Sequence, residues 1–255
     1  MLVLVGLGLN DEGDVTLKAI EELKHCDKVC CELYTNKWQG NIEKLSHLIG
    51  KPIAVLSRSH VESDVLIHEA KKYRVALLVS GDPLSATTHY ELLAACRAQG
   101  IETRVVHASS IFTAVAETGL DLYKFGRTTT LVFPSKSYHP QSPYDMIAQN
   151  KAAGLHTLVL LDIQEEAKTY MTVHQALELI MQQETLKTIA AQPLFACCGL
   201  GSTMHVIRYG TCTELLRDAS LTQVPAVLVI PGILSHKEQE YAEWYRCSKK
   251  NSNKK

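Results

Sequence analysis

A chain of 255 residues, 46% hydrophobic and 21% charged, has the composition of a globular protein with room for one large α/β domain or two modest ones. Its net charge of −1 gives no global field towards nucleic acid or an anionic membrane. No apolar run approaches the roughly 20 residues that span a bilayer, and the N-terminus lacks the basic region of a signal peptide.

The chain opens with an apolar run, Leu2–Gly6, that predicts a buried strand, and Gly6-Leu7-Gly8 is its exit turn. Asp14 is a candidate N-cap for a helix that would turn Leu17, Ile20 and Leu23 inward. A Rossmann dinucleotide turn would need a third glycine where this chain has Asp11. Further strands are predicted at Lys28–Glu32, Pro52–Leu56, Arg74–Val79 and Glu102–His107, with helical patterns between most of them. That alternation argues for a mainly parallel sheet covered on both faces. Arg58 and Arg74 read as ordinary surface positions.

After the fourth strand comes SGDPLSATTH, Ser80 to His89, a loop at the carboxyl end of a strand, where open α/β sheets place their ligand sites. Gly81 permits close backbone approach, and Pro83 holds Asp82 extended. Asp82 there is either a turn former or a ligand contact. Tyr90 to Gln99 follows as an amphipathic helix with Leu92, Leu93 and Cys96 on one face and Gly100 at its end. Ser109-Ser110 starts a helix with Ile111, Val115 and Ala116 inward, closed by Gly119.

The second part carries strand patterns at Thr128–Phe133, His156–Asp162, Leu194–Cys198 and Ala226–Ile230, and Ile207–Thr211 is a hairpin or edge strand. Lys136 to Tyr144 reads as irregular, either a flap or plain surface. The boundaries predict an N-terminal α/β domain over 1–108, a C-terminal α/β domain over 109–247, and a basic, polar, disordered tail over 248–255. The eight cysteines include the adjacent pairs Cys30-Cys31 and Cys197-Cys198 but no CxxC. Neighbours on a strand point to opposite faces, so these pairs chelate poorly; buried thiols and no metal are expected, as in a reducing cytosol.

GLGLNDEGDVTL and GDPLSATTH together resemble the tetrapyrrole methylase superfamily. HASSIFTAVAETGLDLYKFG, GLHTLVLLDI, TYMTVHQALEL and VLVIPG extend the likeness in family order over nearly the whole chain. The YKFG and HTLVLLDI strings are most similar to its diphthine-forming branch. The resemblance implies two α/β domains of the tetrapyrrole methylase type with the cofactor cleft between them. The implied cofactor is S-adenosyl-L-methionine, which carries an activated methyl group on a sulfonium. The implied reaction is methylation of the amino group of a modified histidine, the diphthamide precursor, on translation elongation factor 2. A cytoplasmic homodimer is implied too, with neither nucleic acid nor membrane as a direct partner. The alternatives are a small-molecule methylase acting on a precorrin or uroporphyrinogen, and a non-catalytic nucleotide-binding module.

The family's cofactor positions fall on Leu9, Asp82, Ser85, Ser110, Ile111, Leu161, Leu200 and Ala226. Ser85 replaces a usual small apolar residue, Gly199 stands where arginine is common, and Ala226 where histidine is common. Without the resemblance Leu9, Ile111, Leu161 and Leu200 read as core, and Ser110 as a helix N-cap. His89, His107 and Asp162 lie near these loops and are either acid–base groups or caps and packing residues, so no catalytic residue is assigned. Glu165 and Glu166 either attract a cationic substrate or sit on a solvated loop.

Overall fold

The apolar runs Leu2–Gly6, Val75–Val79, Leu194–Cys198 and Ala226–Ile230, each closed by a turn with glycine or proline, all form strands. The computed structural model describes residues 1–135 and 138–247; the expected disorder of 248–255 falls outside the described residues, as do Lys136 and Ser137. β1 (Leu2–Gly6), β2 (Lys28–Glu32), β3 (Ile53–Leu56), β4 (Val75–Val79) and β5 (Thr103–Val106) make one sheet in the order β3-β2-β4-β1-β5. All its pairings are parallel. Its two faces bury alternate residues in separate clusters: Val3, Val5, Ala76 and Leu78 on one side, Leu2, Leu4, Leu77 and Val79 on the other. Burial on both faces is why these strands read as continuous apolar runs. Cys31 and Cys30 follow the same alternation into opposite clusters.

The second sheet is mixed. It contains β6 (Thr129–Leu131), β7 (Thr157–Leu161), β10 (Leu194–Cys198), β11 (Val206–Gly210) and β12 (Ala226–Ile230), in the order β11-β10-β12-β7-β6. Between β7 and β10, β8 (Ile163–Gln164) and β9 (Thr169–Tyr170) form a small two-stranded sheet. β11 is the antiparallel edge strand of the larger sheet. The chain divides into two compact units, Met1–Ala114 with Ile163–Thr169, and Val115–Asp162 with residues from Tyr170 onward. Burial pushes up the thiols of Cys198 and Cys212, to about 11 in each case.

Several local expectations need correction. The first long helix, Leu17–Lys24, is capped by Thr16, whose hydroxyl accepts from the Ala19 amide. Asp14 is used instead by the preceding turn, accepting from the Asn10 amide at 2.7 Å. Leu17, at the first helical position, is 86% exposed, and Ala19, Ile20 and Leu23 face the core. The helix from Ile111 tightens to a 3-10 turn at Val115–Thr118, so Ala116 faces out and Thr118 takes the inward place. Residues Ser142–Ala152 are helical, with a proline in the first turn, which shortens the irregular stretch after Lys136. Arg74 is no neutral surface position: it binds the buried Glu22 carboxylate, whose other oxygen meets Arg104 at 2.9 Å. Arg58 lies over the Tyr34 ring, 4.9 Å from its centroid.

Candidate functional site

In a parallel sheet every strand delivers its exit loop to the same edge. The order β4-β1-β5 therefore places the turns after Gly6, Val79 and Val106 side by side. The first two are joined backbone to backbone: the Gly81 amide donates to the Gly8 carbonyl at 2.8 Å, and Gly8 returns the bond at 3.2 Å. Gly6 is where all three loops meet. A Cβ there would lie 2.6 Å from Ala108 Cβ, 2.7 Å from the Gly81 carbonyl oxygen and 3.0 Å from Pro83 Cδ. Glycine is thus required by close approach. Gly6→Ala should force the loops apart, cost about 1–3 kcal/mol and weaken any ligand held by them at least tenfold. Calorimetry and thermal melting check this; unchanged values for both would contradict it.

Asp82 is the knot of the cluster. It is 7% exposed, and both carboxylate oxygens are engaged. Oδ1 accepts from the Leu84 amide at 3.0 Å and the Ser85 hydroxyl at 3.4 Å. Oδ2 meets His107 Nδ1 at 2.7 Å and the Ala108 amide at 3.3 Å. Its side chain therefore fixes its own loop and ties it to the loop after β5. Ser110 caps the helix Ile111–Ala114: its carbonyl takes the Thr113 and Ala114 amides, and its hydroxyl takes the Phe112 amide at 3.3 Å. Leu9, Ser85 and Ile111 are half-buried at this edge. His89 is buried, its Nδ1 2.7 Å from the Thr87 hydroxyl, and burial pushes its imidazole down.

In the second sheet, antiparallel pairing brings the end of β7 beside the start of β12 and the end of β10. Leu161, Ala226 and Leu200 lie together at that edge, and all three are buried. The side chains of Leu161 and Ala226 pack into the core of this sheet, so contacts from these two positions to a ligand would use backbone atoms. Gly199 has φ +62°, and a Cβ there would lie 2.7 Å from Gln223 Oε1. The left-handed backbone at this position favours glycine over a residue with a side chain. Asp162 accepts from the Phe133 amide at 3.0 Å.

Two groups escaped the sequence. Glu32, fully buried at the end of β2, accepts from the Tyr34 and Thr35 amides at 3.1 and 3.2 Å and from the Thr35 hydroxyl at 2.5 Å. Burial pushes its carboxyl up. The loop it anchors reaches the Gly81–Asp82 turn through Asn36, which donates to Ser80 Oγ at 3.1 Å. A glutamate closing the apolar run KVCCE was the available signal. The second group is His156 with Glu238 and Lys124, at the opposite end of β7 from Leu161. It lies about 16 Å along the strand from that residue. The YKFG and GLHT strings meet there, since His156 donates its amide to the Lys124 carbonyl and accepts from the Gly126 amide. Those strings meet in a structural cluster, while Leu161, one of the predicted site residues, lies at the other end of the same strand.

No ligand-like cluster of three or more histidine, cysteine, aspartate or glutamate side chains is present among the described residues.

A sequence profile of the Tetrapyrrole (Corrin/Porphyrin) Methylases matches residues 1–216. That match and the two sheets place the chain in this methylase class. A diphthine synthase of Methanococcus maripaludis strain C6 is 40% identical over 247 residues, 94% of this chain and 96% of that one. One from Methanococcus vannielii is 46% identical over 237 residues, covering 90% and 93%. A crystal structure of diphthine synthase superposes with a TM-score of 0.88 at 31% identity, covering 96% of this chain and 95% of that one. The chain belongs to the diphthine synthase family of the tetrapyrrole methylases.

Proposed function

We propose that the protein is an S-adenosylmethionine-dependent methyltransferase of diphthamide biosynthesis. It methylates the amino group of the modified histidine on translation elongation factor 2, giving diphthine. The observation that carries this is family membership across more than nine-tenths of the chain, with relatives that bear one name. We assign Leu9, Asp82, Ser85, Ser110, Ile111, Leu161, Leu200 and Ala226 to the cofactor. The first unit's loops suit it. They offer close-packed backbone at a sheet edge, half-buried apolar side chains for a ring, and serine hydroxyls at Ser85 and Ser110. When bound, the cofactor supplies a methyl group already activated by positive sulfur.

The chain's own part is positioning. Asp82 keeps the loops after β4 and β5 in one arrangement, and the Gly8–Gly81 backbone pairing does the same for the loops after β1 and β4. A preformed site of this kind lowers the entropic barrier to bringing amine and methyl donor together. The family likeness further supports a homodimer working in the cytoplasm. No helix among the described residues is long and apolar enough to cross a membrane.

Isothermal titration with S-adenosylmethionine tests the cofactor assignment, with ATP as the comparison. Micromolar binding of S-adenosylmethionine alone is expected. No heat with S-adenosylmethionine, or equal binding of ATP, would contradict it.

A further inference from the structure

Methyl transfer to an amine requires a free lone pair on nitrogen, and an alkylamine is mostly protonated near neutral pH. The site therefore benefits from a group that takes this proton at the point of reaction. Among the side chains placed at the loops after β1, β4 and β5, His107 has the geometry of such a group.

His107 Nδ1 lies 2.7 Å from Asp82 Oδ2. An ionised carboxylate only accepts, so Nδ1 carries the hydrogen and donates it. That fixes the tautomer and leaves the Nε2 lone pair free to receive a proton. The Asp82 carboxylate is buried and held by the Leu84 and Ala108 amides and the Ser85 hydroxyl, so it cannot swing away from the imidazole. The imidazole side chain is 68% exposed. An anchored, buried acid behind an outward-facing imidazole is the arrangement that orients a histidine base. His89, the other histidine of these loops, is buried with its Nδ1 against Thr87, and so is poorly placed to meet a substrate.

We propose that His107, oriented by Asp82, is the general base that deprotonates the acceptor amine. The step breaks one N–H bond of the acceptor ammonium. Its electron pair stays on nitrogen and becomes the lone pair that takes the methyl group. The proton moves to His107 Nε2, and the resulting imidazolium faces Asp82, the charged group that the structure sets against it. Water removes the proton before the next cycle. The inference rests on the methyltransferase function proposed above.

His107→Asn separates the base from its structural contact. The asparagine amide still donates towards Asp82 but has no basic nitrogen, whereas His107→Ala loses both. Each variant is compared with the wild type for melting temperature, S-adenosylmethionine affinity, and kcat on elongation factor 2 carrying the unmethylated precursor. For His107→Asn the expected result is an unchanged melting temperature and cofactor affinity with kcat lower by about 100-fold. That deficit should shrink as pH rises and the amine loses its proton unaided. A readout independent of turnover is the nitrogen-15 spectrum of the imidazole, which should show the Nδ1–H tautomer in the wild type and a tautomer mixture in Asp82→Asn. Wild-type transfer with His107→Asn within twofold of it overturns the base alone. A loss that appears only in cofactor affinity also overturns it and makes His107 a positioning residue. No transfer by the wild type overturns the methyltransferase function and the base with it.

Discussion

Asp82→Ala should weaken S-adenosylmethionine binding at least tenfold and lower the melting temperature by about 5 °C, with the fold retained. The size follows from what the carboxylate holds. Its removal leaves the Leu84 and Ala108 amides and the His107 ring without their acceptor at a position only 7% exposed. An unsatisfied buried donor costs about 1–3 kcal/mol, less where water enters the space left behind. A net loss near 2 kcal/mol corresponds to about 4–8 °C for a chain of this size. The affinity loss comes from freeing two loops that the side chain joins, so Asp82→Asn, which keeps one acceptor oxygen, should fall between the wild type and Asp82→Ala. Titration calorimetry and a thermal melt give both quantities. Unchanged affinity in Asp82→Ala would remove the loops after β4 and β5 from the cofactor site.

Glu238→Ala should cost more, about 3–5 kcal/mol, because it breaks a buried ionic cluster from one side only. Glu238 accepts from His156 Nε2 at 2.9 Å, the Asp121 amide at 3.1 Å, the Ser235 amide at 2.7 Å, and Lys124. The Gly232 amide donates to His156 Nδ1 at 2.9 Å, so the buried imidazole is neutral with its hydrogen on Nε2. The cluster also makes the second unit acid-sensitive. Burial alone would raise the Glu238 carboxyl, but its hydrogen bonds hold it well below the usual carboxylate range. Burial, partly opposed by Glu238, pushes the His156 imidazole below its ordinary value of 6.5. Both groups thus bind fewer protons folded than unfolded, and stability rises with pH wherever the unfolded chain holds more. On acidification, stability should start to fall below about pH 6.5, from His156, and again below about 4.5, where the unfolded glutamate protonates. Glu238→Gln should lose the lower of these two phases. Urea midpoints from pH 8 to 4, followed by Trp244 fluorescence in a Trp38→Phe background, read this unit alone. A midpoint independent of pH would contradict the argument.

The strands were legible because their environment is simple. Runs such as LVLVG and VALLV are buried on both faces, and an apolar run bounded by a turn carries that information locally. Helix starts were less so. Asp14 and Thr16 are both good caps two residues apart, and the Asn10 amide, which decides between them, belongs to the turn's geometry. Ile20 and Leu23 keep the expected inward places, while Leu17 stands exposed at the first helical position. Ala116 faces out because the period changes from 3.6 to 3 at Val115, a change no residue type announces. The site loops were visible as glycine turns at strand ends. Their side-chain partners were hidden by sequence distance. Asp82 meets His107 only because β5 is laid beside β1 and β1 beside β4. His156 and Glu238 are 82 positions apart and join through the second sheet. The carboxylate reads as a ligand contact by type and position, and the structure shows it as the brace of the loops.

The most direct test of the central claim is transfer of labelled methyl from S-adenosylmethionine to elongation factor 2 that carries the unmethylated precursor, read by intact-protein mass spectrometry. The account predicts mass steps of whole methyl groups on that one modified histidine, absent when the cofactor is omitted. No step on this acceptor, with S-adenosylmethionine binding confirmed in the same sample, would contradict it.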